Sequence, residues 1–200
     1  MEFGEVIARR RTTRQFTGQP VDKEIIERII DAGIKAPSFD HMRKWNFIVV
    51  TDAAVKVRIL DTIKPLTCSI DEPNNPFQEM VKIAFPRQRS MFEEAACIIL
   101  PLFKRDARII KEEAFGRRFM DFAEIWCVIE NIFLATTNEG LAYTMRIPTG
   151  KQPEEILTAA ACPEGYILPC MIGIGHAAQD AEYPAQIYPK LSECIHWNKF

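Results

Sequence analysis

The sequence predicts one domain of mixed α and β elements. Three observations lead there. Segments with apolar residues at helical spacing alternate with short runs rich in Ile, Val, Leu and Phe. No repeat, low-complexity tract or linker divides the 200 residues. Apolar residues make up 48% of the chain, and a chain of this length buries roughly 70% of its extended surface.

The elements follow in order. Phe3, Val6, Ile7 and Arg10 have helical spacing, so residues 2–10 form a short first helix. A polar, β-prone segment follows over Thr12–Phe16. Pro20 and Asp22 announce a second helix, with Asp22 as its N-cap, Ile25, Ile26, Ile29, Ile30 and Ile34 as its apolar positions, and an end near Ala36 before Pro37. Residues 37–45 form a loop, and 46–51 have strand composition. Asp52 caps a helix reaching about Ile63. Three prolines and two asparagines make 64–77 a loop, and a helix near 78–85 ends at Pro86.

Residues 95–103 read as a buried strand, and 105–115 as another helix. Asp121–Asn138 is apolar on nearly every face, so it must be buried on most sides, either under its own chain or against a second subunit. Gly140 suits the position after its C-terminus. Leu141–Arg146 is a strand, Pro153 opens a helix to about Ala161, and 168–175 is the last clear strand. The tail from Ala177 is punctuated by proline and ends in Cys194–Trp197, an apolar patch with strand character.

Composition bounds the function. Lys and Arg number 25 against 27 Asp and Glu, a net charge of −2, which argues against wholesale binding to nucleic acid or anionic lipid. The longest uncharged apolar-rich stretch, 165–179, is broken by Pro169, Gly173, Gly175 and His176 and is too short to span a bilayer. No apolar stretch follows the basic residues near the N-terminus as a secretory signal requires, so a cytoplasmic protein is expected. The six cysteines form no CxxC pair and no zinc spacing, so no metal, disulfide or catalytic cysteine is expected. Cys97 and Cys127 sit in apolar runs and read as small core residues.

One local cluster stands against the near-neutral total: Arg9, Arg10, Arg11 and Arg14 occur within six residues that hold no acid. Cations at a helix C-terminus complement its dipole, which accounts for such a cluster without a ligand. Guanidiniums also match phosphate oxygens, and Thr12 and Thr13 add hydroxyls, so an anion site is the second reading. Spacing alone leaves both open.

The string Arg10–Phe16 resembles the opening signature of the FMN-dependent nitroreductase family, in which Arg-Arg-Ser-x-Arg-x-Phe follows a short helix. Ala36-Pro37-Ser38, a short loop, and then Trp45-Asn46-Phe47 with its strand are similar to the next family segment. Glu139-Gly140-Leu141-Ala142, Pro163–Tyr166 and Ile172–Gly175 resemble its later turns and last strand. The similarity is strong over 1–50 and 121–178 and weak over 64–118.

This resemblance implies an α+β, three-layer α/β/α sandwich around a mixed, mostly antiparallel sheet, built as an intertwined homodimer. The whole of 1–200 would be one FMN-binding domain, with 177–200 an arm wrapping the partner. Arg10, Thr12 and Arg14 would hold the FMN phosphate and ribityl chain, with Arg11 nearby through its backbone. Pro37, Ser38 and Phe39 would touch the flavin ring from the other subunit. Pro148, Thr149 and Gly150 would face its reactive edge, with a backbone N–H aimed at N5. The implied activity is transfer of a hydride from NADH or NADPH through FMN to a nitroaromatic, quinone or related small acceptor. No side-chain nucleophile is needed. Reductive dehalogenation, a flavin-consuming reaction and non-enzymatic FMN storage are the alternatives.

Three departures from the family pattern bear on the site. His41, Arg43 and Lys44 stand where the family more often has Asn, Gln and Pro, so His41 is either a donor to flavin or substrate or a solvated loop residue. Gln186 and Tyr188 stand where members often carry tail cations for the phosphate. The stretch 76–119 matches no subgroup; Phe115 and Phe119 either cap the pocket or pack in the core.

Overall fold

The structure is a computed structural model that describes residues 1–104 and 120–200. The expected helix over 105–115, and Phe115 and Phe119, lie outside the described residues.

The elements alternate largely as the pattern requires. Helix α1 (Phe3–Arg9) precedes the extended Arg-rich segment, and α2 (Lys23–Ile34) follows it. Asp22 occupies the cap position of α2, but its side chain makes no capping bond. Strand β1 (Trp45–Val50) leads into α3 (Ala53–Leu60), where the Asp52 carboxylate does accept from Val55 N at 2.9 Å. Helix α3 stops three residues short of Ile63. Helix α4 (Pro76–Ala84) begins two residues early, because Asn75 caps it and Pro76 fits its first turn. A short helix α5 (Ser90–Glu93) precedes β2 (Cys97–Phe103). Then come α6 (Met120–Asn138), β3 (Ala142–Arg146), α7 (Gln152–Ala159), β4 (Met171–Gly175) and a single turn α8 (Leu191–Cys194).

The four strands form one sheet in the order β1-β2-β4-β3, antiparallel at every pairing. Strand β2 is buried at all seven positions, as its unbroken apolar run predicts. Its alternate residues serve different cores. Cys97, Ile99 and Phe103 join Ile26 and Ile29 of α2 and Ile125, Ile129 and Ile132 of α6. Ile98, Leu100 and Leu102 join Ile59 and Leu60 of α3, Phe92 of α5 and Ile156 of α7. Each fully buried Ile or Leu contributes about 1.5–3 kcal/mol relative to exposure.

Two glycines let layers approach. A Cβ on Gly33 would lie 2.8 Å from Ile132 Cγ1, so α2 crosses α6 at a point with no room for alanine. A Cβ on Gly173 would lie 2.9 Å from Thr144 Cγ2 and 3.2 Å from Phe92, so the bare backbone admits α5 onto the sheet.

Two expectations are corrected. Cys127 is exposed, since it shares a face of α6 with Phe122, Ala123 and Glu130 while Ile125, Val128, Ile129 and Ile132 point inward. Otherwise α6 is covered by α1, α2 and the sheet, as its apolar pattern requires, and this one face, where Phe122 stays 46% exposed, is what the chain leaves open. Cys194–Trp197 is not a strand: among the described residues no strand lies beside it to pair with, and Lys190 and Glu193 close a helical turn instead. No helix among the described residues is long and apolar enough to cross a membrane.

Candidate functional site

The Arg-rich segment is fixed by the sheet. Thr13 N donates to Tyr143 O at 2.8 Å, and Thr12 forms a parallel bridge with Tyr143 on β3. Thr17 N then bonds to His176 O and Ala178 N to Gln15 O, so residues 12–17 run along β3 and past the end of β4. An extended backbone sends alternate side chains to opposite faces.

Arg10 and Thr12 lie beside Tyr143. Arg10 Nη1 donates to the Tyr143 hydroxyl at 2.7 Å, and Arg10 Nε lies 3.4 Å from Glu130 Oε1 on α6. The Tyr143 ring is buried and stacked on Phe133 with centroids 3.9 Å apart. Burial pushes the Tyr143 phenol up against the downward pull of Arg10. Burial pulls the Arg10 guanidinium down, but the bond to Tyr143 and the charge of Glu130 leave it above its ordinary value.

Arg14 differs. It is half-buried, and it makes no hydrogen bond or ion pair with any described residue. Desolvation alone holds its guanidinium below its ordinary value. A partly desolvated cation without a protein partner is costly and suits an anionic ligand.

The odd-numbered side chains face the tail. Arg11 lies over the Tyr183 ring with Cζ 4.4 Å from its centroid, and Thr13 Oγ1 is 3.3 Å from the Tyr183 hydroxyl. The Arg11 side chain therefore lies at the tail and not beside Tyr143 with Arg10.

The 37–43 loop sits against the start of α6. Phe39 N–H donates to the Glu124 carboxylate, and burial raises Glu124 above the usual carboxylate value despite that bond. Ser38 Oγ is buried without a hydrogen-bond partner among the described residues. Asp40, His41 and Arg43 have φ of 50°, 53° and 42°, a left-handed backbone that costs non-glycine residues about 1 kcal/mol or more each. Pro37 and His41 are exposed.

The third group closes β3. Pro148 is buried, while Thr149 and Gly150 are exposed, and Gly150 has φ of 61°. Among the described residues neither the Thr149 nor the Gly150 N–H has a protein acceptor. Arg146 anchors the loop: it donates to Gln88 Oε1 at 3.0 Å and Gln152 Oε1 at 2.7 Å, and Gln152 in turn donates to Thr62 O at 2.7 Å. Burial holds the Arg146 guanidinium below its ordinary value.

Within one chain Arg10, Thr12 and Arg14 share a segment. Among the described residues no hydrogen bond joins them to Pro37–His41 or to Pro148–Gly150. Sequence reasoning missed Tyr143, Glu130, Glu124 and Arg146. Tyr143 alone carried a signal, as a phenol two residues before Met145 on a strand, but nothing in the sequence pairs it with Arg10.

The residues present fit FMN on two observations. Among the described residues Arg14 is a desolvated cation without a partner, and Ser38 Oγ is a buried polar atom without one. Known proteins are similar to this chain along most of its length. Iodotyrosine deiodinase of Nematostella vectensis is 23% identical over 197 residues, covering 97% of this chain and 74% of that protein. Iodotyrosine deiodinase of Danio rerio is 25% identical over 178 residues, and the chain spans 60% of its length. A variant of the FMN and NADPH-dependent nitroreductase of sphigopyxis sp. strain HMH has the same fold, with a TM-score of 0.74 at 20% identity over 100% of both chains. The Nitroreductase family model matches residues 7–176, from the first helix through the Arg-rich segment to the end of the last strand, and the chain belongs to that family.

Proposed function

We propose that this protein is an FMN-dependent oxidoreductase that takes reducing equivalents from NADH or NADPH and delivers them to a nitroaromatic, quinone or related small acceptor. The observation that carries the reading is Arg14, half-buried and without a partner among the described residues, on the same strip of backbone as Arg10 and Thr12.

In this reading Arg10, Thr12 and Arg14 bind the phosphate and ribityl chain, and the Arg11 backbone lies beside them. Ser38 Oγ, without a partner among the described residues, gains one in the cofactor. Pro37, Ser38, Phe39 and His41 approach it from a second subunit. Pro148 fixes the loop whose Thr149 and Gly150 N–H groups, without acceptors among the described residues, serve as donors. When bound, FMN supplies two-electron redox chemistry, and the protein's task is positioning and exclusion of water.

The protein is a homodimer in this reading. The apolar α6 face with Phe122 and Cys127 forms its interface, and the tail wraps the partner through Ile187, Tyr188, Leu191 and Trp197, each more than 60% exposed. The two cores on opposite faces of the sheet support the three-layer sandwich.

The deiodinase relatives favour a second reading, reductive dehalogenation of a halophenol on the same scaffold. Steady-state assays of the FMN-loaded protein separate the two. Consumption of NADH or NADPH with a nitroaromatic or quinone, and no halide release from an iodophenol, supports the first. Halide release without turnover of the other acceptors supports the second.

A further inference from the structure

Arg10 is already engaged before any cofactor arrives. Its two partners would act oppositely on an incoming phosphate. Tyr143 is held in place by burial and by its stack on Phe133, and its neutral hydroxyl accepts one guanidinium N–H while leaving the cation's charge whole. The Glu130 side chain is 49% exposed on α6, and its carboxylate lies 3.4 Å from Arg10 Nε. It offers the cation a second, anionic acceptor. A phosphate reaching Arg10 therefore meets a negative charge a few ångströms away, which must turn aside or repel it. Arg14, with no carboxylate beside it among the described residues, imposes no such competition.

Resting on the FMN reading above, we infer that Glu130 sets the cofactor affinity by competing with the phosphate for Arg10, and that Tyr143 is the positioning residue that presents Arg10 to it. The site is thus a mixed pair of arginines, one uncompensated and one partly neutralised. The arrangement keeps binding reversible where two bare arginines would hold the phosphate more tightly.

The test is a fluorescence titration of the full chain with FMN and with riboflavin, which lacks the phosphate. Glu130→Gln keeps the shape and removes the charge. It binds FMN about three- to tenfold tighter than the wild type and riboflavin equally well. The FMN difference narrows as salt rises. Tyr143→Phe binds FMN several-fold more weakly, with unchanged circular dichroism confirming its fold. Glu130 is surface-exposed, so the first variant carries the test if the second fails to fold. Equal FMN affinity for Glu130→Gln and wild type, or the same change with both flavins, overturns the inference. A wild type that binds neither flavin overturns the FMN reading along with it.

Discussion

The Arg10 guanidinium donates to the Tyr143 hydroxyl across 2.7 Å, and the Tyr143 ring lies flat on Phe133, 3.9 Å away between centroids. A cation from the N-terminal segment is thereby tied to the core through an aromatic side chain of β3. The site's charge is placed by the sheet, and only secondarily by the loop that carries it.

Arg14→Ala separates stability from binding. Arg14 has no protein partner among the described residues, so its removal relieves a desolvation cost, and the urea midpoint of the cofactor-free chain stays level or rises. FMN affinity falls about ten- to a hundredfold, the worth of a charge-assisted hydrogen bond to phosphate. Denaturation and flavin-fluorescence titrations check the two halves.

Thiol labelling reports on the proposed dimer. Cys97 and Cys170 are buried, and burial pushes their thiols up to about 11 and about 12, so both stay unlabelled until the chain unfolds. Cys127 is exposed in the single chain, but a dimer across α6 covers it. The expected result is slow maleimide labelling of Cys127 at high protein concentration and fast labelling on dissociation. Truncation after Pro184 weakens the dimer and speeds that labelling. Fast labelling at every concentration counts against the α6 interface.

Glu124 gives a pH dependence with a definite sign. Burial raises its folded value above the ordinary 4.5, so the folded state holds the proton longer than the unfolded chain. Stability from this group is intact below about 4.5 and declines as pH rises through the folded value. Glu124→Gln removes that decline while keeping an oxygen for the Phe39 N–H. Urea midpoints measured for both proteins on either side of this window are expected to converge in acid and diverge toward neutrality, with the variant higher.

Gly33→Ala tests the helix crossing. The new methyl would meet the buried Ile132 at 2.8 Å, so α2 must shift off α6 at a cost of about 1–3 kcal/mol. A lowered urea midpoint with an unchanged far-ultraviolet spectrum is expected.

Much of this was legible from residue order. The unbroken apolar run of β2 announced a strand covered on both faces, and Gly140 marked the end of α6 with φ of 75°. Asp52 announced its own helix, since a cap is a local contact. Non-local relationships were not legible. The partnering of Arg10 with Tyr143 spans 133 residues, and that of Phe39 with Glu124 spans 85. Cys127 read as core because its neighbours in sequence are apolar, yet helical rotation puts it on the outer face. Cys194–Trp197 read as a strand on composition, but a strand needs a neighbour to pair with.

The most direct test of the central claim is anaerobic mixing of the FMN-loaded protein with NADH and, separately, NADPH, following the flavin's visible absorption. The account predicts rapid bleaching by at least one of them and recovery of colour when a nitroaromatic or quinone is added. Bound flavin that neither nucleotide bleaches would contradict it.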